Sequence, residues 1–312
     1  MNKSNKYKMR AQTLMLKTFV FTLLITLTNC SNDETQEVAT YSNLVMSDEF
    51  DVEGAPNSEL WNYDIGTGDN GWGNNELQYY TDRPENVTVQ NGLLVISAIK
   101  ENYQGASYTS ARLLTKGKFS EAYGRFEARI KVPGGSGLWP AFWLLGDNFE
   151  DDGWPQCGEI DIMEYRRQEP TKVSGSIHGP GYSGLTNPQG QVTKSYDLGN
   201  DRFDAGFHVF GIEWGPEYIN YYVDDVLYNQ ITPSDLVVTP ADSDAVYTLN
   251  DGVDATETTP AIEPTDVTGD WVFNKPFFII INLAVGGNFP GEPAMNQTFP
   301  QNMLVDYVRV YK

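Results

Sequence analysis

The feature that most limits the fold is a two-residue rhythm of apolar and polar side chains that recurs in short segments. No long helical period interrupts it. FEARIKV and YINYYVD place apolar and polar residues on opposite faces, the pattern of half-buried strands. VTVQNGLLVISA, YGRFEARIKV, VFGIEWGPEYINYYVDD and NMLVDYVRVYK repeat it. Turn signals separate these runs, with hairpins expected at Gln90-Asn91-Gly92, Gly134-Gly135 and Asp224-Asp225. With 29 glycines and 17 prolines in 312 residues, the chain is turn-rich, and it is long enough to bury a sizeable core. Many short strands without helices predict an all-β chain, a jelly-roll β-sandwich of two antiparallel sheets with a concave substrate cleft.

The N-terminus reads as an address. Lys3, Lys6, Lys8, Arg10 and Lys17 are the charges of the first thirty residues, and the apolar run TLMLKTFVFTLLITLT ends at Asn29 and Cys30. The run is short for a membrane span and is broken by Lys17, so residues 1–30 are expected to be an export signal. LTNC followed by SNDETQ resembles a bacterial lipoprotein signal in which Cys30 is acylated. Residues 31–40 then form a tether, and 41–312 the working domain of an exported, lipid-anchored or secreted monomer. Beyond the signal, 16 basic residues stand against 42 acidic ones. A surface that negative repels phosphate backbones and excludes general nucleic-acid binding. Two histidines and two cysteines leave little for a zinc site or a disulfide scaffold. An acidic stretch from Thr232 to Asp270, without Lys or Arg, is expected to be a solvated insertion, a cleft-rim loop or a further calcium site.

The most informative string is Gly158-Glu159-Ile160-Asp161-Ile162-Met163-Glu164-Tyr165. In a strand Glu159 and Asp161 share one face and Ile160 and Ile162 the other. A regular strand would send Glu164 into the core, which is costly for an unpaired carboxylate, so a β-bulge is expected near Ile162 and Met163. The bulge returns Glu164 to the face of Glu159. Three like charges so close cannot all ionise at their ordinary values. That asymmetry suits glycoside hydrolysis, in which one carboxylate attacks and another protonates the leaving oxygen. The two glutamate backbones lie roughly 13 Å apart by strand rise, near enough for their side chains to converge across a sugar ring. A solvated or calcium-binding acidic strand is the plainer reading of the acids alone.

Other candidates surround this string. Trp139 and Trp143, in WPAFWLLG, share a face and can stack on sugar rings. GWGNNELQYY carries Trp72, Asn74, Asn75, Glu76 and Gln78, a loop suited to hydroxyl recognition. Arg112 is a subsite donor or an ion-pair partner. His178 can reach a carboxylate or a sugar hydroxyl, or be merely structural, whereas His208 reads as structural. Cys157 lacks a base partner and reads as an inert thiol.

GEIDIMEY, with WPAFWLLG, GWGNNELQYY and PFFIIINLAVGGNFPG around it, resembles glycoside hydrolase family 16, specifically the laminarinase-type bacterial endo-β-1,3-glucanases. The likeness spans residues 41–312. It implies a jelly roll, a retaining endo-acting mechanism with no catalytic cofactor, and a β-glucan substrate. Carried over by motif, Glu159 is the nucleophile, Glu164 the general acid/base and Asp161 the assisting carboxylate. The matching positions for a structural calcium are Glu49, Gly92 and Asp306. Phe289 stands where the family usually has a cleft-rim tryptophan. Mixed-linkage β-glucan, a galactan such as agarose or porphyran, and non-catalytic glycan binding are the alternatives.

Overall fold

Each alternating segment becomes a strand in the computed structural model, which describes residues 41–183, 192–238 and 267–312. The export signal, Cys30, the tether and residues 239–266 of the acidic stretch lie outside the described residues. Two sheets of ten and seven strands face each other, all-β as expected. The ten-stranded sheet is built on Val226–Ile231, Tyr218–Val223, His208–Gly215, Gly124–Lys131, Gln301–Tyr311 and Leu93–Tyr103 in that spatial order. The seven-stranded sheet runs Val192–Asp197, Lys172–His178, Glu159–Glu164, Leu138–Gly146, Phe277–Val285, Arg112–Leu114, Asn62–Tyr63. Pairing is antiparallel except where Gln78–Tyr80 lies parallel to Ala106–Ser110.

One continuous apolar core fills the space between the sheets. Ile160, Ile162, Phe142, Leu144, Ile279 and Ile281 from the seven-stranded sheet meet Leu94, Ile96, Phe126, Ile130, Val305 and Val308 from the other. Trp214, fully buried, packs against Phe126 and Phe277 and donates its indole N–H to the Phe273 carbonyl at 3.0 Å. The large ring thus enters the core with its polar tip satisfied. Truncating a residue of this kind to alanine costs about 3–5 kcal/mol.

Two expected turns close hairpins. Asn91-Gly92 and Asp224-Asp225 each carry positive φ at both central residues, the twist that two-residue hairpins need. Gly134-Gly135 does not. The strands it joins, Gly124–Lys131 and Leu138–Gly146, lie in different sheets, so the glycines carry a crossover rather than a hairpin. The acidic stretch is rooted by a two-stranded ribbon, Val237–Val238 with Val267–Thr268, and Leu236 at its base is buried in the core.

Candidate active site

Register places the functional side chains on successive rungs. On one rung Glu159 pairs with Leu145 and His178, and on the next Asp161 pairs with Trp143 and Ser176. The register then slips: Met163 pairs with Phe142, while Glu164 pairs with Ala141 and Ser174. This is the expected bulge, with Ile162 the extra residue against the Leu138–Gly146 strand. Ile162 and Met163 are both buried in the inter-sheet core, and Glu164 regains the outer face. Apolar burial at two consecutive positions is incompatible with strict alternation, so the backbone bends instead. Gly158, at φ 79°, leads into the strand where a Cβ would meet Phe277 and Val272 at 2.9 Å.

The three acids differ in surroundings. Burial pushes the Glu164 carboxyl up to about 7, helped by the Glu159 charge and opposed by His178 and by the hydrogen bond from Trp139. Burial and the neighbouring glutamates also hold Asp161 well above the usual carboxylate range. Asp161 Oδ2 lies 3.0 Å from His178 Nε2. Burial disfavours the imidazolium, but Asp161 outweighs it and raises His178 to about 10. The other ring nitrogen, Nδ1, sits 2.9 Å from the Ser183 carbonyl, which can only accept. Nδ1 therefore carries a hydrogen, and Asp161 and His178 hold one proton between Oδ2 and Nε2. Of the possibilities for His178, the carboxylate contact is the one observed.

Two indoles reach the glutamates. Trp139 Nε1 donates to Glu164 Oε1 at 3.0 Å, and Trp154 Nε1 donates to Glu159 Oε2 at 2.7 Å. Trp139 and Trp143 do share a face, both part-exposed beside the acids. Trp143 is tied at its tip to Asn282 Oδ1 at 2.8 Å. Asn282 donates to the Tyr80 hydroxyl, which donates to Glu76. Arg112 is both an ion-pair partner, 3.0 Å from Asp64, and a stacked cation, its guanidinium between the rings of Trp72 and Trp143 at 4.9 and 4.8 Å. Glu159, Asp161 and His178 also have the donor set of a cation site, with one atom from each within 4.8 Å of the others. Three of these donor atoms are engaged: Glu159 Oε2 with Trp154, and Asp161 Oδ2 with His178 Nε2.

The GWGNNELQYY loop departs from its expected role in part. Gln78 is fully buried, accepts from the Val285 N–H and donates to Glu76, so it braces the loop instead of meeting a ligand. Burial raises the Glu76 carboxyl, whose Oε2 accepts from Gln78 and from the Tyr80 hydroxyl. Asn75 remains exposed, donating to Asn288 Oδ1 at 3.0 Å and so clasping the loop to GGNFPG. The loop turns sharply at Gly71, where a Cβ would stand 2.5 Å from the Glu76 nitrogen. Cys157 is fully buried and its thiol is pushed up to about 11 by burial, which keeps it inert.

Residues 72–272 match the model for glycosyl hydrolases family 16.

The chain belongs to glycosyl hydrolase family 16.

It is 40% identical over 312 residues to a β-glucanase of Rhodothermus marinus, a match covering 97% of each chain. It is 38% identical to a glucan endo-1,3-beta-glucosidase of Cryptopygus antarcticus, over 85% of this chain and 91% of that one. The laminarinase catalytic domain from Thermotoga maritima MSB8 superposes with a TM-score of 0.73 at 42% identity, covering 88% of this chain and 99% of that chain.

Phe289 and the positions carried for calcium behave differently from the simplest expectation. Phe289, in place of the usual tryptophan, lies against Trp139 with centroids 5.0 Å apart, and Arg166 covers it at 4.8 Å. The positions carried for calcium lie near one another midway along the Gln301–Tyr311 strand, where it changes partner: Asp48 pairs with Val308 and Val305 with Leu94. Their carboxylates are occupied: Arg309 donates to both Glu49 oxygens at 2.9 and 2.8 Å, and Arg129 to Asp306 Oδ2 at 2.6 Å. A cation there would be left with main-chain carbonyls and the second Asp306 oxygen. Sequence reasoning missed Trp154 and Asn282, because one sits in a loop without period and the other inside a continuous apolar strand.

Proposed function

We propose that this protein is a retaining endo-β-1,3-glucanase that cuts laminarin-like chains. The observation that carries the reading is the bulge, which sets Glu159 and Glu164 on one face with Asp161 between them, where burial raises Glu164 to about 7. Glu159 attacks the anomeric carbon while Glu164 gives its proton to the leaving oxygen. Glu164, now a carboxylate, takes a proton from water, whose oxygen displaces Glu159 and restores the enzyme. Asp161, sharing a proton with His178, keeps the strip from accumulating charge. Trp143, backed by Arg112, offers its ring face to a sugar beside the acids.

The names of the β-glucanase and endo-1,3-β-glucosidase relatives support the substrate class. Reducing-end release from laminarin, mixed-linkage glucan, agarose and carrageenan tests it, with Glu159→Gln as the blank. Release from laminarin that the blank lacks is the expected result. Release from another polymer alone would move the substrate, and binding without release would make the protein a lectin.

We also propose export with a lipid anchor at Cys30, supported by the basic, apolar and LTNC segments. Metabolic labelling with a fatty acid, lost in Cys30→Ser, is the check. A structural calcium held through Glu49, Gly92 and Asp306 would act by tying two strand ends to the middle of a third strand, with hard oxygen ligands supplied chiefly by the main chain.

A further inference from the structure

We propose that Trp154 is a positioning residue for Glu159 that acts mainly in the second half of the reaction, by stabilising the carboxylate as it departs. The proposal rests on the reading of Glu159 as the nucleophile. Trp154 lies in the loop between the helical turn Phe149–Asp152 and the acidic strand. Its ring packs on a second small apolar cluster of Leu114, Leu145, Cys157, Phe278 and Ile280, and faces His178 at 6.2 Å. The indole is therefore held while its N–H reaches Glu159 Oε2 at 2.7 Å.

An indole N–H is a donor only and is not ionised at working pH, so Trp154 stabilises charge without acting as an acid or base. The charge it meets changes through the cycle. In the first step an electron pair of Glu159 Oε1 forms the bond to the anomeric carbon, the glycosidic C–O bond breaks, and the leaving oxygen takes the proton of Glu164. Glu159 is then an ester, and the hydrogen bond to it is weak. In the second step the water oxygen bonds to the anomeric carbon, its proton goes to Glu164, and the ester C–O pair returns to Glu159. The returning charge is what Trp154 is placed to meet. Trp139 holds Glu164 in the same manner, so each glutamate is held by one indole.

The test uses Trp154→Phe, which keeps an aromatic ring on the apolar cluster, and Trp154→His, which restores a ring N–H. The substrate is a dinitrophenyl β-laminaritrioside, whose good leaving group makes the second step limiting. Trp154→Phe is expected to lower kcat roughly 10- to 50-fold and to lower KM in proportion, leaving kcat/KM within about threefold. Mass spectrometry of the acid-quenched enzyme should show a trisaccharide adduct accumulating on the peptide that holds Glu159. Trp154→His should recover part of kcat, with thermal midpoints unchanged across the set. A fall in kcat at constant KM without an adduct, or no change at all, would overturn the role of Trp154 while the glucanase reading stands. Products of inverted configuration from the wild-type enzyme would remove Glu159 as nucleophile and this proposal with it.

Discussion

Trp139 Nε1 donates to Glu164 Oε1 across the bulged pair of strands at 3.0 Å, with the ring of Phe289 set 5.0 Å behind the indole. A tryptophan that the sequence offers as a sugar platform therefore also bears on the protonation of Glu164. The bond favours the charged form of Glu164 and so moderates the upward push of burial. For the wild-type enzyme this places the alkaline limb of kcat/KM near pH 7, with activity falling as Glu164 loses its proton. Trp139→Phe removes the donor and should move that limb upward by roughly 0.5–1 unit. A pH–rate profile on laminarin checks it, and an unmoved limb would separate Trp139 from the acid.

The same carboxyl makes stability depend on pH. Its folded value lies above its unfolded value, so its contribution is full below about pH 4.5 and is lost as pH rises through about 7. Above that range the fold carries a buried charge. Glu164→Gln should raise stability at pH 8 by on the order of 2 kcal/mol and change it little at pH 4, as read by denaturant unfolding. It should also cut laminarin turnover by about 10²–10⁴-fold.

Met163 occupies the core as the consequence of the bulge. Met163→Ala leaves a cavity beneath the acids and should cost about 2–5 kcal/mol. Urea unfolding gives the figure, and a loss below about 1 kcal/mol would mean that the bulge collapses without it.

Asn282 holds Trp143 through Oδ1 and Tyr80 through Nδ2. Asn282→Ala strands a buried indole N–H, at a cost of about 1–3 kcal/mol. With the ring loosened, KM for laminarin should rise several-fold while kcat holds. Equal losses in both would place Asn282 in the chemistry.

Glu49 and Asp306 are each neutralised by an arginine. If calcium ties these strands, a chelator should lower the thermal midpoint by several degrees, and calcium should restore it. An unchanged midpoint would leave the two ion pairs as the whole of that corner.

Much of this molecule is legible in its sequence. The alternation in FEARIKV and YINYYVD fixes which side chains face the core, because a strand offers only two faces. The bulge follows as well, since Glu159, Asp161 and Glu164 cannot share a face in a regular strand. The motif strings then point to the family and its catalytic acids.

Other features exist only through tertiary contact. Trp154 and Glu159 are five residues apart, but a loop with no period sets where the indole points. Asn282 lies in an all-apolar run and acquires its role only when Trp143 and Tyr80 arrive from other strands. Gly134-Gly135 looks like a hairpin turn until the flanking strands enter different sheets, a choice made by the core. The value of Glu164, near 7 rather than 4.5, belongs to the same class. Sequence determines which groups can titrate and which face they take. Burial and neighbouring charges, summed over strands distant in the chain, decide which of them keeps its proton.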